Sequence, residues 1–224
     1  MKVLFLDIDG VLNSDTDFFE LRKFGHPINE IKGSKVINRG HLALLQQIIE
    51  DTDAKIVLSS TWRLHYSLDD MHEMFTARDF ELGREVFHDI TPSHSRGFSD
   101  NHYRHRGGEI REYLKAHPEV EKFIILDDVK PPIVAPAGRY EDPEAMYGSS
   151  AWEDRIPYEP FVEVEYDGYD RLEPEMTFIH TNARSGLTVF QMRYAIHILG
   201  LNEKAQEKAD EYQKGLELMM GCIV

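Results

Sequence analysis

The chain has 224 residues, of which 42% are hydrophobic, which is enough to build the core of one folded domain. Its formal net charge of −15 disfavours general binding to duplex nucleic acid or to an anionic membrane, because both are negatively charged. Its one cysteine excludes an internal disulfide framework and favours a reducing, cytoplasmic location. No apolar run is long enough to span a membrane, and the apolar start stops at Asp7, before the length of a signal peptide.

The first predicted element is a strand over residues 2–6, whose continuous apolar run is typical of a strand buried on both faces. It ends on two acids, Asp7 and Asp9, followed by Gly10. A carboxylate at the end of a buried strand loses hydration and needs strong partners. These acids are therefore candidates for chemistry.

The next part of the chain repeats this arrangement of a strand followed by polar residues. A polar stretch over 14–39 leads to a predicted helix over 41–52, whose apolar positions share one face. A second strand over 54–58 then runs into Ser-Ser-Thr-Trp-Arg at 59–63. Helical spacing over 66–78 precedes a short predicted strand over 86–90.

The loop over 88–108 concentrates histidine and arginine in an otherwise acidic chain. It is either a solvated loop or a cationic rim that gathers a phosphorylated substrate. It carries no HExxH or CxxC pattern, so we expect no zinc site there. Its end begins a predicted helix that stops near Pro118 and leads to a strand over 122–128.

Residues 130–176 differ in character from the rest of this single predicted domain, 1–224. They hold seven of the ten prolines, many acids and aromatic residues without periodicity. We interpret them as an irregular insertion, with a hairpin turn at Asp167-Gly168, and leave open whether it is a lid or an oligomer contact. Two helices, over 189–199 and about 202–220, follow, and the second is a packing or homodimer element.

Apolar strands alternating with amphipathic helices predict an α/β fold with a mainly parallel sheet. In such sheets, sites form at the carboxyl ends of the strands. Three predicted strands end in polar motifs: Asp-Ile-Asp-Gly, Ser-Ser-Thr-Trp-Arg and Asp-Asp. If these strands are neighbours, the motifs bring the following residues together: Asp7, Asp9, Ser60, Asp127 and Asp128. Carboxylates this close need a cation, and oxygen ligands suit Mg²⁺.

This set of acids is suited to phosphate ester hydrolysis. With Mg²⁺ neutralising the phosphate oxygens, Asp7 can attack phosphorus. Asp9 points elsewhere and can give a proton to the leaving oxygen, then take one from water. We therefore predict hydrolysis through an aspartyl-phosphate.

The same motifs resemble those of the haloacid dehalogenase-like (HAD) superfamily. Asp7-Ile8-Asp9-Gly10 is similar to its first motif, Ser60 (or Ser59) to its second, Arg106 (or Arg104) to its third, and Asp127-Asp128 to its fourth. More narrowly, LDIDGVLN, LSSTWR, RGGEI, ILDD and SGLT resemble the HAD domains of Swiss Army Knife RNA repair proteins. The resemblance implies a Rossmannoid three-layer fold. The segments over 11–55 and 64–103 are short and irregular, so we expect little or no classical cap domain.

The resemblance also implies roles for individual residues. By this resemblance, Asp7 would be the nucleophile and Asp9 the general acid and base, while Ser60 and Arg106 would contact the phosphoryl group. Mg²⁺ would be held by Asp7, the backbone carbonyl of Asp9 and one fourth-motif acid, with Asp128 favoured as direct ligand and Asp127 as its hydrogen-bonded neighbour. The expected substrate contacts are Gly10, Ser59, Trp62, Arg63 and Arg104. An acid at Asp9 favours phosphate transfer over dehalogenation.

The substrate is less closely defined than the reaction. A nucleotide or a nucleic-acid end is favoured over other phosphorylated small molecules, because the resemblance is to RNA repair domains and Trp62 could stack on a base. Arg63 could grip a second phosphate, or be an ordinary surface arginine. Two further hypotheses are a phosphate-binding module without turnover and a phosphotransferase that acts on a sugar hydroxyl.

Overall fold

A five-stranded parallel sheet lies at the centre of the computed structural model, which describes residues 1–25, 33–93, 106–128 and 178–221. The strand order is β3-β2-β1-β4-β5, so the first strand of the chain is the central one. The strands are β1 (Lys2–Leu6), β2 (Lys55–Leu58), β3 (Phe87–Ile90), β4 (Lys122–Asp127) and β5 (Phe178–His180).

Six α-helices lie within the part of the chain that the structure describes. They are α1 (Asp15–Lys23), α2 (Arg39–Thr52), α3 (Leu68–Thr76), α4 (Arg106–Ala116), α5 (Val189–Leu199) and α6 (Glu203–Gly221). Short 3-10 turns cover Gly33–Val36, Thr61–Leu64 and Arg84–Val86. None of the described helices has the length and apolar character needed to cross a membrane.

The sheet has a separate hydrophobic core on each face, because alternate side chains of a strand point to opposite sides. Leu4 and Leu6 of β1 face the larger core, to which α2, α3 and α5 contribute. Phe5 faces the smaller core, where it packs edge-on against Tyr113 of α4, with ring centroids 5.5 Å apart. Helices on both faces of a parallel sheet form three layers, which confirms the predicted α/β Rossmannoid fold.

The predicted elements of the core are confirmed, but one helix was missed. Residues 14–39 were expected to be a polar stretch, whereas α1 occupies Asp15–Lys23. Its start signal is present in the sequence, since the Ser14 side chain accepts a hydrogen bond from the Asp17 backbone N–H. No residue of α1 is buried, so it lacks the apolar face on which helix prediction depends.

Some sequence predictions concern residues outside the described ranges. The insertion at 130–176, with its turn at Asp167-Gly168, is one of these, and Arg104 is another. The lid and oligomer hypotheses for the insertion stay predictions.

Candidate active site

The register of the three central strands places polar residues in one row at their carboxyl ends. Leu6 of β1 lies opposite both Leu58 of β2 and Leu126 of β4. The next residue of each strand continues this row: Ser59, Asp7 and Asp127. Alternation turns all three side chains toward the face that α4 covers, the face of Phe5 and Val57.

Arg106, the first residue of α4, closes over this row. Its side chain is 1% exposed, and its Nη1 donates to Asp7 Oδ2 at 2.6 Å and to Asp127 Oδ2 at 2.5 Å. The other Asp7 oxygen accepts from the Ile8 backbone N–H at 2.8 Å. Asp7 is 2% exposed, so the positive charge of Arg106 and these hydrogen bonds replace the water that the carboxylate has lost.

Three acids at this end of the sheet are close enough to share a cation. Asp7, Asp127 and Asp128 each offer a carboxylate oxygen, and these oxygens lie within 4.8 Å of one another. Burial, together with the charges of Asp127 and Asp7, raises the pKa of Asp128 to about 7. A bound cation would relieve this repulsion, and a donor set made only of oxygen fits Mg²⁺.

Gly10 leaves room for the Asp128 carboxylate. Its φ is +71°, a conformation that side chains with a Cβ rarely adopt, and a Cβ built there would lie 2.2 Å from Asp128 Oδ2. The predicted role of Gly10 was substrate contact. The structure places it against the acid cluster, where only a glycine fits.

Asp9, two residues after Asp7, is held by two hydrogen-bond donors. Asn13 Nδ2 donates to its Oδ1 at 2.8 Å, and Trp62 Nε1 donates to its Oδ2 at 3.0 Å. Burial raises the pKa of Asp9, against the lowering effect of the Asn13 hydrogen bond. A fixed carboxyl group with a raised pKa is suited to giving and taking a proton.

Sequence reasoning missed Asn13. Besides its bond to Asp9, its Oδ1 accepts from the Gly10 backbone N–H at 3.0 Å, so this one amide ties together the turn after β1. The sequence does place an asparagine four residues after Asp9 and just before Ser14, the N-cap of α1. This spacing alone does not distinguish a residue that binds Asp9 from an ordinary turn residue.

Trp62 connects Asp9 to a cavity of about 280 Å³. Phe18, Trp62 and Tyr66 contribute aromatic rings to its lining, and the Trp62 and Tyr66 centroids are 5.5 Å apart. The indole N–H therefore faces the acid while the ring borders an aromatic space.

Arg63 was predicted to contact the substrate. In the structure, its side chain donates hydrogen bonds to other residues of the protein. Its Nη1 donates to the Ser59 and Ser60 carbonyl oxygens at 2.6 and 2.7 Å, and its Nη2 contacts Glu109 Oε2 at 2.5 Å. The Arg63 and Glu109 side chains are only 4% and 2% exposed. Arg63 thus braces the end of β2 against α4, and its predicted contact with substrate stays untested.

The two serines after β2 have different surroundings. Ser60 Oγ accepts from the Trp62 backbone N–H at 3.4 Å and so begins a 3-10 turn. Ser59 Oγ is buried and has no hydrogen-bond partner within the described ranges. A buried hydroxyl without a partner beside Asp7 is a candidate to bind a ligand oxygen.

Comparison with known proteins identifies one family. The model of the family described as "HAD domain in Swiss Army Knife RNA repair proteins" matches residues 3–191, which include β2 to β5 and all of β1 except Lys2. Searches of curated proteins and of solved structures return no match.

Proposed function

The chain belongs to the family of HAD domains of Swiss Army Knife RNA repair proteins, and from that premise we propose that it is a Mg²⁺-dependent phosphomonoesterase that forms an aspartyl-phosphate on Asp7. The observation that carries the proposal is that the two acids after β1, Asp7 and Asp9, have different hydrogen-bond partners. Asp7 is bound to Arg106, whereas Asp9 is held apart by Asn13 and Trp62. These different partners support attack by Asp7 and proton transfer by Asp9.

The first chemical step transfers the phosphoryl group to Asp7. An Asp7 oxygen forms a bond to phosphorus as the bond from phosphorus to the leaving oxygen breaks, and Asp9 gives that oxygen its proton. Asp7, Asp127 and Asp128 would hold Mg²⁺, which when bound would neutralise charge on the phosphoryl oxygens. Arg106 adds a second positive charge beside Asp7.

The second step releases phosphate. Asp9, now ionised, takes a proton from water, whose oxygen attacks phosphorus and displaces the Asp7 carboxylate. Arg106 donates to Asp7 Oδ2 in the free protein, so it is already placed to stabilise that carboxylate as it leaves.

Ser59 is our choice for the hydroxyl that binds a phosphoryl oxygen. It is next to Asp7 in the row at the strand ends, and its buried Oγ has no partner within the described ranges. Ser60, which the sequence favoured, already receives the Trp62 backbone N–H. We expect Ser59→Ala to weaken phosphate binding more than Ser60→Ala.

The cavity beside Trp62 supports a nucleotide or a nucleic-acid end as substrate. Asp9 protonates the leaving oxygen, so the leaving group is on the Asp9 side, where Trp62 and Tyr66 border a space of about 280 Å³. Aromatic rings that border such a space can stack on a base. The net charge of −15 favours a nucleotide or a short end over long nucleic acid.

An assay of phosphate release tests this proposal. The protein is incubated with an aryl phosphate, then with nucleotides and 3′- or 5′-phosphorylated oligonucleotides, each with Mg²⁺ or EDTA. We expect release that needs Mg²⁺ and is fastest with a nucleotide or oligonucleotide. Ligand binding without release would favour a binding module, and release only with an added sugar hydroxyl would favour a phosphotransferase.

Trp62→Phe is expected to lower kcat by roughly 10- to 100-fold, because Asp9 loses one of the two donors that orient it. The Trp62 hydrogen bond lowers the pKa of Asp9, so its loss raises that pKa further. The alkaline limb of the kcat/KM profile, where Asp9 loses its proton, should therefore move to higher pH. Tyr66→Phe, which keeps the indole, is the control. An unchanged profile would exclude this positioning role for Trp62.

Gly10→Ala is expected to weaken the apparent Mg²⁺ affinity by roughly 10- to 100-fold, because the new methyl group displaces the Asp128 carboxylate. Mg²⁺ titration of activity measures it. Gly25→Ala is a matched control, since Gly25 also has a positive φ of +82° but has no atom within 4 Å of a built Cβ. Equal losses in both variants would assign the effect to backbone strain and contradict the carboxylate displacement.

A further inference from the structure

A second group of metal-ligating side chains lies at the other end of α4 from Arg106. His88, His117 and Glu119 each offer one ligand atom, and these atoms lie within 4.8 Å of one another. Arg106 begins α4 and His117 follows its last residue, so the helix of 11 residues separates the two groups by about 16 Å. This group is therefore outside the active site.

A break in the sheet register turns His88 toward this group. Ile56 of β2 pairs with Phe87, but the next residue, Val57, pairs with Asp89. His88 is thus an extra residue in β3, as in a β-bulge, and bulges re-aim side chains. The His88 ring is consequently 6.3 Å from the His117 ring, centroid to centroid.

His117 is held in place from three sides. Its ring stacks on Tyr113 at 4.1 Å and 18°, its Nδ1 lies 2.9 Å from Glu119 Oε1, and its Nε2 lies 3.8 Å from Asp89 Oδ2. A metal-bound histidine commonly gives its second N–H to a carboxylate, which fixes the ring. Asp89 lies on the Nε2 side of the ring, at a distance too long for a hydrogen bond in this structure, and an ion bound by Nδ1 and Glu119 would replace the hydrogen bond between them.

We propose that His88, His117 and Glu119 bind a divalent transition-metal ion of the Zn²⁺ type. Two imidazoles and one carboxylate are a ligand set that Zn²⁺ accepts and that Mg²⁺, which prefers oxygen, does not. His88 and Glu119 are exposed, so an ion can reach them from solvent. The ion joins β3 to the end of α4 and stabilises the helix that carries Arg106.

Sequence patterns did not reveal this group because its members belong to separate elements. His88 comes from a strand, whereas His117 and Glu119 come from the turn between α4 and β4. No local HExxH or CxxC pattern exists at any of them. Because no such pattern is present, we expected no zinc site in the loop over 88–108. The fold, however, brings His88 close to His117 and Glu119, and this closeness is the reason for the proposal.

Titration of the full chain with Co²⁺, followed by visible absorption in saturating Mg²⁺, tests the proposal. We expect binding of one Co²⁺ with the absorption bands of a nitrogen-containing site. His88→Gln and Glu119→Gln should each weaken it at least about tenfold. Zn²⁺ should raise the melting temperature of the wild type, but not of these variants. His197→Gln, an exposed histidine on α5, is the control.

Two results would overturn the proposal: no Co²⁺ binding by the wild type, or binding that His88→Gln and Glu119→Gln leave unchanged. The proposal does not depend on phosphatase activity. Asp128→Asn should keep the Co²⁺ bands, so loss of the phosphatase function and loss of this second site would be separate outcomes.

Discussion

Asp7→Asn is expected to lower kcat/KM by at least about 10⁴-fold, with the fold retained. The neutral amide cannot attack phosphorus to form the acyl phosphate, and it removes one negative charge from the group of oxygen ligands. Arg106 also loses a charged acceptor at 2.6 Å, but keeps Asp127 at 2.5 Å. Phosphate release measures the loss, and circular dichroism checks the fold.

Asp210→Asn makes the same chemical change at an exposed position of α6 and should leave activity unchanged. Asp9→Asn provides a second comparison. With an aryl phosphate, whose leaving group needs little protonation, it should slow the first step less than Asp7→Asn does. Activity that survives in Asp7→Asn would mean that another group attacks, which would end the aspartyl-phosphate proposal.

The sequence was sufficient to predict the sheet and the acids at its edge. The continuous apolar runs before Asp7 and Asp127 have one simple interpretation, as strands buried on both faces. The carboxyl ends of parallel strands lie at one end of the sheet, so the acids were expected to be close together if β1 and β4 were adjacent, and these two strands do pair. Arg106 was predicted from the motif order, and it lies over Asp7 and Asp127.

Contacts that depend on side-chain direction could not be predicted. Trp62 was expected to be either a core residue or a stacking wall, yet its N–H reaches Asp9 across 53 positions of the chain. The sequence favoured Ser60 over Ser59 without knowledge of the register with β1, and that choice stays a prediction beside the different surroundings of the two hydroxyl groups. Such side-chain contacts depend on how the helices and strands pack against each other, and a local sequence pattern does not determine that packing.

The buried pair of Arg63 and Glu109 is the clearest case in which structure changes the meaning of a motif. From the sequence, Arg63 was expected either to bind a phosphate of the substrate or to be an ordinary surface residue. In the structure, its guanidinium lies between the end of β2 and α4. It also donates to the Thr91 carbonyl oxygen at 3.2 Å, just after β3. One side chain therefore joins three elements beside the row that contains Asp7.

Arg63→Met is expected to reduce the free energy of unfolding by about 3–5 kcal/mol, because the buried Glu109 carboxylate loses its ion pair with Arg63 and four backbone carbonyls lose a donor. Chemical denaturation measures the change. Arg39→Met is the matched control, since Arg39 and Asp79 form an ion pair at 3.0 Å whose side chains are 61% and 69% exposed. Its loss should be below about 1 kcal/mol.

The same variant separates bracing from substrate binding. If Arg63 grips a phosphate of the substrate, Arg63→Met raises KM and leaves the free energy of unfolding close to that of Arg39→Met. If Arg63 braces the site, stability falls, and kcat falls with it in the folded fraction, because the Ser59 carbonyl and the row beside Asp7 lose their support. The number of buried acceptors around this guanidinium favours the second result.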